Sequence, residues 1–385
     1  FQVKTKLFFG KKKEQLIGEI LSSKQVKKVL IVIGQSSVKK SGLLDLVLQS
    51  LDEYKIAYKL LEGVRPNPTI DLVYQGIEIA REYKPDYLLA IGGGSVIDTA
   101  KLISVGYYYN GDAFDFNRHI AKPNQALPIG VILTISASGS EMSTSCVIQN
   151  DALSYKSGFN SEFVRPDFAI ENPELTFSVS PTQTAYGIVD IMMHTLERYL
   201  QPSADNEICD GFSEGLLRSV IKAGKTVMAN PRDYEARAVL MLSSSLSHNG
   251  ITGIGKKTGM PVHQLEHALS GLYPHVAHAA GLAVLFPAWA KYYLPYDMDK
   301  FDQLSRNVFD SHLKDKTENA INGIRLLEEY FHFLHMPENY HDLQIENVDI
   351  EQLVNKLTDG GTRVIDHHIK PIDQEVAYAI YKSCL

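Results

Sequence analysis

The sequence predicts two architectures in series, an α/β half with a parallel sheet and then an all-helical half. Three observations carry this. Short β-rich apolar runs ending in glycine or serine turns alternate with helix-period segments over roughly the first 180 residues. After about Pro173 the β-branched runs thin out and long helical patterns follow. The chain has 385 residues, and single cores stop growing near ~250–300 residues, so two domains are expected.

Each element follows from its residues. Lys28-Val-Leu-Ile-Val-Ile33 reads as a buried strand ended by Gly34, and Asp86-Tyr-Leu-Leu-Ala-Ile91 runs likewise into Gly92-Gly93-Gly94. Leu127–Leu133 is a third strand, leading into the small polar stretch Thr134–Ser140. Between them, Leu43–Tyr54 and Ile70–Tyr83 carry apolar residues at helical spacing. Strand, helix, strand in this rhythm implies a parallel, doubly wound sheet, whose ligands bind beyond the carboxyl ends of the strands. In the second half, Thr182–Leu200, Asp205–Met228, Tyr234–Asn249, Val262–Leu272 and Glu318–Leu334 are helical patterns. The expected domains are 1–178 and 179–385.

Composition narrows the function classes. With 38 basic against 45 acidic residues, a net charge of −7 and a pI near 6.0, nucleic acid is not expected as a partner. Cys146, Cys209 and Cys384 are far apart with no CxxC pair, which fits a reducing compartment. The first residues lack a signal-peptide apolar stretch. The apolar segment Gly281–Ala290 is interrupted by Pro287 and too short to span a bilayer. A soluble cytoplasmic protein is expected.

Two groups of residues carry chemistry. Gly92-Gly93-Gly94-Ser95-Val96-Ile97-Asp98-Thr99-Ala100-Lys101 follows a strand and opens a helix. Glycines there let the backbone approach a pyrophosphate, and the helix N-terminus offers N–H groups and a favourable dipole. The third spaced glycine of GxGxxG is missing, and the plainer alternative is a glycine turn with Ser95 as helix cap. Thr134–Glu141 offers hydroxyls for capping or for phosphate and ribose contacts. The Gly34-Gln-Ser-Ser-Val-Lys-Lys40 turn has no acid to bind a ribose 2′-hydroxyl. Its Ser36 and Ser37, with lysines beside them, leave room for a 2′-phosphate, so NADP is expected in preference to NAD.

The other group is metal-like. Asp190 and His194 share one helix face at i,i+4 spacing. His263, His267, His275 and His278 then fall within sixteen residues, where chance would place about half a histidine. An aspartate with three histidines around an open position suits Fe(II) or Zn(II). Spacing alone leaves open which three coordinate, since His263 and His267 share a face. His312, His332, His335, His367 and His368 are read as structural or solvated.

Taken together, Gly92–Lys101, Thr134–Glu141, Asn172–Thr176, Asp190-x-x-x-His194 and His263–His278 resemble the iron-containing (group III) alcohol dehydrogenases. The resemblance is nearest to their NAD(P)H-dependent butanol dehydrogenases. It runs from Lys6-Leu-Phe-Phe-Gly10 to the last helix. It implies an N-terminal Rossmann-like dinucleotide domain, a C-terminal helical metal-binding domain, a divalent metal in the cleft, and a homodimer. By this resemblance the metal ligands are Asp190, His194, His263 and His278, and His267 is a proton-relay candidate behind them. Gly93, Gly94 and Ser95 match the pyrophosphate turn. Asp98 matches the helix-start acid near the nicotinamide, which implies a catalytic as well as a cofactor role. Gly34, Ser36, Ser37, Asn67, Thr134, Ser138, Lys156 and Leu175 are the further cofactor contacts it implies. Met260, Ala279, Asn172 and Tyr186 depart from the family's commoner residues, and three of them (Met260, Ala279 and Tyr186) bear on the substrate pocket.

The implied reaction is metal-assisted hydride transfer between NADP(H) and a primary alcohol or short aldehyde. A polyol dehydrogenase or dehydroquinate-synthase-like lyase is the alternative in the same superfamily, with a non-catalytic nucleotide- or metal-binding protein behind it. No HExxH motif supports a metal hydrolase.

Overall fold

Continuous apolar runs become the centre of a parallel sheet in the computed structural model, which describes residues 1–201, 206–257 and 259–385. Two compact units result: residues 2–179, and Phe1 with residues 180–385.

The first unit contains strands β1 (Lys6–Phe9), β2 (Lys28–Gly34), β3 (Ala57–Val64), β4 (Tyr87–Gly92), β5 (Ile129–Leu133), β6 (Ser145–Asn150), β7 (Tyr155–Asn160) and β8 (Phe168–Glu171). Its helices are α1 (Ile17–Ser23), α2 (Ser37–Lys40), α3 (Leu43–Glu53), α4 (Ile70–Tyr83) and α5 (Gly94–Gly106). Six strands pair in parallel in the order β1-β8-β5-β4-β2-β3. Every residue of β4 and β5 is buried, as expected of a parallel sheet covered on both faces. The pairings Gly92↔Leu133 and Ile33↔Ile91 align the carboxyl ends. The turns after Gly34, Gly92 and Leu133 therefore share one edge of the sheet. Gly130 is fixed by its neighbour, because a Cβ there would lie 2.1 Å from the Phe168 ring.

The β6–β7 hairpin is antiparallel and does not correspond to any element expected from the sequence. Its strands mix polar residues with at most three apolar residues in succession, too short a run to signal a buried strand. Ser95 does not cap α5; Gly93 occupies that position, with no side-chain cap, and Ser95 lies inside the helix.

The second unit is helical: α6 (Pro181–Tyr199), α7 (Glu207–Ala229), α8 (Tyr234–His248), α9 (Pro261–Leu272), α10 (His278–Tyr293), α11 (Met298–Phe309), α12 (Lys316–Phe333), α13 (Ile350–Thr358) and α14 (Gln374–Lys382). The start expected at Asp205 lies outside the described residues. Among the described residues, the extended pairing in this unit is one isolated bridge, Ile365 to Ile372. The core gathers Ile188, Met192, Leu196, Leu265, Leu282, Phe286 and Trp289, all buried. No helix among the described residues is long and apolar enough to cross a membrane.

Candidate active site

Three helices assemble the metal-like residues. Ser180 caps α6 by accepting from the Gln183 N–H, and Pro181 takes its first turn. One buried face of that helix then presents Asp190 and His194. Pro261 opens α9, which brings His263, and His278 is the first residue of α10. Around Asp190 Oδ1 lie His194 Nδ1 at 3.5 Å, His263 Nε2 at 3.8 Å and His278 Nε2 at 3.9 Å. These separations are too long for hydrogen bonds.

Asp190 Oδ1, His194 Nδ1 and His263 Nε2 are buried and make no hydrogen bond among the described residues. Burying polar atoms without partners is unfavourable, and three converging on one point are a group that could hold a metal ion. One carboxylate with imidazole nitrogens fits a divalent Fe or Zn ion. Burial, then the neighbouring histidines, holds His194 well below its usual pKa, in the neutral form that ligates. At His263 burial also pushes downward, but Glu197 and Asp190 together outweigh it and lift the group to about 9.

His267 is partly exposed, its ring 5.7 Å from that of His278. Glu266, His267 and His278 form a second set of ligand-type atoms within 4.8 Å of one another. His275 stands apart, its Nε2 3.2 Å from the Leu343 carbonyl. His367 is buried, stacked 3.9 Å from the Tyr293 ring. Sequence reasoning passed over two fully buried glutamates. His263 Nδ1–H donates to Glu197 and His278 Nδ1–H to Glu266.

The residues expected at the cofactor lie in the first unit. A Cβ on Gly93 would meet Ile135 Cγ2 at 2.2 Å, and one on Gly94 would meet Ser138 Oγ at 2.3 Å. The Gly93–Ser95 and Thr134–Ser138 turns therefore pack directly on each other, with bare backbone between them. The Thr134 N–H donates to the Gly92 carbonyl at 3.1 Å. Asp98 accepts from Ser140 Oγ at 2.6 Å and the Val147 N–H at 2.9 Å. Burial raises its pKa, opposed first by Lys101.

Lys156 Nζ donates to Asn67 Oδ1 at 3.2 Å, joining two residues 89 apart in sequence. The Gln149 N–H, donating to the Pro68 carbonyl at 2.9 Å, holds β6 to that turn. Asn67 has φ of 52°, a left-handed conformation that asparagine tolerates. Gly34 ends β2, Ser36 and Ser37 are exposed beyond it, and Leu175 packs partly buried against the sheet's core. An acid absent from that turn's sequence arrives from β3, where Glu62 Oε2 pairs with Lys39 Nζ at 2.5 Å.

The family description "Iron-containing alcohol dehydrogenase" matches residues 4–173, and "Fe-containing alcohol dehydrogenase family, C-terminal" matches residues 184–385. The chain belongs to the iron-containing alcohol dehydrogenases. It is an oxidoreductase of that family. It is 40% identical to NADH-dependent butanol dehydrogenase A of Clostridium acetobutylicum, over 100% of this chain and 98% of that protein. It is 32% identical to the NADPH-dependent aldehyde reductase YqhD of Escherichia coli, over 92% of each chain. The crystal structure of NADH-dependent butanol dehydrogenase A from Thermotoga maritima superposes with a TM-score of 0.95. That pair is 33% identical and covers 100% and 98% of the two chains.

One departure from the family's commoner residues has a local explanation. Asn172 Nδ2 donates to the buried Glu14 carboxylate at 3.0 Å while its Oδ1 accepts from the Glu174 N–H at 3.1 Å. An ionised aspartate could make only the second of these bonds.

Proposed function

We propose that this alcohol dehydrogenase interconverts primary alcohols and short aldehydes, using NADP(H) in preference to NAD(H). The observation that carries the metal part of the reading is the convergence of Asp190 Oδ1, His194 Nδ1 and His263 Nε2, buried and without hydrogen bonds among the described residues. With His278 they would hold one Fe(II) or Zn(II). When bound, the ion polarises the substrate oxygen as a Lewis acid and the nicotinamide carries the hydride.

The chain's own residues do the rest. Gly93, Gly94 and Ser95 offer a side-chain-poor turn and the α5 N-terminus to a pyrophosphate. Thr134, Ser138, Asn67 and Lys156 contribute hydroxyl, amide and ammonium groups at the same sheet edge, and Gly34 and Leu175 complete the contact. Asp98 acts on the nicotinamide through the turn it braces, since both its oxygens accept hydrogen bonds from within the unit. His267 supplies the proton to the substrate oxygen during aldehyde reduction, its partial exposure allowing resupply from water.

Exposed Ser36 and Ser37 with Lys40 beside them support the preference for NADP(H); the Lys39–Glu62 pair limits it. The names of the relatives span both cofactors. The proposal includes a division of roles at 178/179 and a homodimer in the cytoplasm, checked by light scattering and fractionation.

The test is oxidation of NADPH and of NADH against a panel of short aldehydes, after anaerobic loading with Fe(II) or Zn(II). Metal-dependent turnover, faster with NADPH and lost in His263→Ala, is the expected result. No turnover with either metal, despite confirmed metal and nucleotide binding, would contradict the reading.

A further inference from the structure

Beside the Asp190, His194, His263 and His278 group stand two further carboxylates that are buried completely. Glu197 and Glu266 each have 0% exposure. Each accepts the Nδ1–H of one histidine, Glu197 from His263 and Glu266 from His278. In both rings that leaves Nε2 facing Asp190 Oδ1, at 3.8 and 3.9 Å. The arrangement occurs twice, on different helices, with the same atom pairing.

The reason lies in imidazole chemistry. A neutral histidine carries one ring proton, and the nitrogen bearing it cannot ligate. A carboxylate is acceptor-only, so placing one at Nδ1 keeps a proton there and makes Nε2 the nitrogen at which an ion displaces a proton or takes the lone pair. It also fixes the ring plane and makes the ligand more basic.

The surrounding chain holds both carboxylates in place. Glu197 lies one turn beyond His194 on α6. It also accepts from the Val262 N–H at 2.7 Å and the His263 N–H at 3.4 Å, at the start of α9. That helix has Met260 at its N-cap and no side-chain cap of the usual kind. One carboxylate therefore both seats the helix carrying His263 and sets the proton on His263. Glu266 follows His263 by one turn, and Gly281 follows His278 by one turn. A Cβ on Gly281 would lie 2.9 Å from Glu266 Cγ and 3.4 Å from its Oε1, so the missing side chain is what admits Glu266 to His278.

We infer that Glu197 and Glu266 are paired positioning residues of the metal centre, each orienting one histidine and directing its Nε2 to the ion. The inference rests on the metal reading above. It identifies neither glutamate as a ligand.

Replacement by glutamine separates this role from packing. Glutamine keeps the volume, and its amide oxygen can still accept from the Val262 N–H. Its NH2 group, turned toward Nδ1, would donate instead of accept. The ring proton then moves to Nε2, where it blocks ligation.

The experiment is competition between the full-length protein and a chromophoric chelator for Zn(II), with the Co(II) absorption spectrum as a second readout. Wild type, Glu197→Gln, Glu266→Gln, the double variant and Glu197→Asp are compared. Each single glutamine variant should weaken Zn(II) binding about 10- to 100-fold and shift the Co(II) bands. The melting temperature of the metal-free protein should stay within a few degrees of wild type. The double variant should show roughly the product of the two losses, because different histidines are affected. Glu197→Asp, which still accepts, should recover most of the affinity.

Zn(II) affinity within about twofold of wild type in either glutamine variant would overturn the assignment for that glutamate. Equal losses in Glu197→Gln and Glu197→Asp, with a matching fall in metal-free melting temperature, would show that Glu197 acts through packing and overturn it as well. Failure of the metal reading itself looks different: wild type would bind no ion, or His263→Ala would bind as tightly as wild type.

Discussion

Removing the ammonium of Lys101 should destabilise the first unit more than any surface change to it. This side chain has 0% exposure and lies one turn beyond Asp98 on α5. Its Nζ donates to the Ser145 carbonyl at 2.7 Å and to the Ser143 carbonyl and hydroxyl at 3.1 and 3.2 Å. Asp98 in turn accepts from Ser140 and Val147. Two opposite charges thus bind the segment from Ser140 to Val147 to the helix that starts at the glycine turn. Lys101→Met keeps most of the stem's packing but leaves three acceptors without their donor and removes a charge that favours the ionised form of Asp98. Each acceptor left unsatisfied costs at least about 1 kcal/mol, so a loss of about 3–5 kcal/mol is expected for the three together. In a unit of this size about 1 kcal/mol moves the melting temperature by roughly 2–4 °C, so a fall of about 6–20 °C is expected. Circular dichroism on heating reads it, and nucleotide affinity should fall too, because Ser138 adjoins the loosened segment. The double variant Asp98→Asn/Lys101→Met should lose clearly less than the two single losses added together. A loss below about 1 kcal/mol in Lys101→Met, or additive losses in the double variant, would refute this account of the pair.

Three other perturbations have defined outcomes. Glu62→Gln removes a negative charge beside the turn proposed to meet the 2′-phosphate. At about 8 Å in water that charge is worth about 1 kcal/mol against a dianion, so the NADPH-to-NADH ratio of kcat/KM should rise about fivefold. The rise should shrink in high salt, and an unchanged ratio would count against the turn. His267→Ala should lower aldehyde turnover about 100-fold with metal content unchanged; parallel loss of both would remove it as proton donor. Burial pushes Asp210 upward in pKa, but hydrogen bonds from Lys256 and Lys300 outweigh this and hold it below the ordinary carboxyl range. A depressed carboxyl stabilises the fold above its unfolded pKa and loses that contribution as pH falls through the folded value. The gap in melting temperature between wild type and Asp210→Asn should therefore be full at pH 7 and narrow at pH 3, and a constant gap would contradict the sign.

Features that repeat along the chain were legible in the sequence. The central strands show as unbroken apolar runs because both sheet faces are covered, and their terminal glycines mark the turns. Asp190 and His194, or His263 and His267, show as i,i+4 pairs because helix geometry alone puts them on one face. Partners supplied across the fold were not legible. Glu197 lies three residues after His194 and Glu266 three after His263, at helical spacings that offered a signal. Their pairing with particular rings nonetheless depends on how α6, α9 and α10 pack. Glu62 reaches Lys39 from a separate strand, so a turn that lacks acid in sequence acquires one in space. The β6–β7 hairpin carries no long apolar run, and its contact with Asn67 through Lys156 is set by tertiary structure. His367 reads as structural or solvated, and the Tyr293 ring stacked on it decides for the structural option.

The most direct test of the account is anomalous diffraction from crystals of the full chain loaded with one equivalent of Zn(II). The account predicts a single peak bonded to Asp190, His194, His263 and His278, at about 2.0–2.2 Å from each. A peak seated instead among Glu266, His267 and His278, or no ordered peak at all, would contradict it.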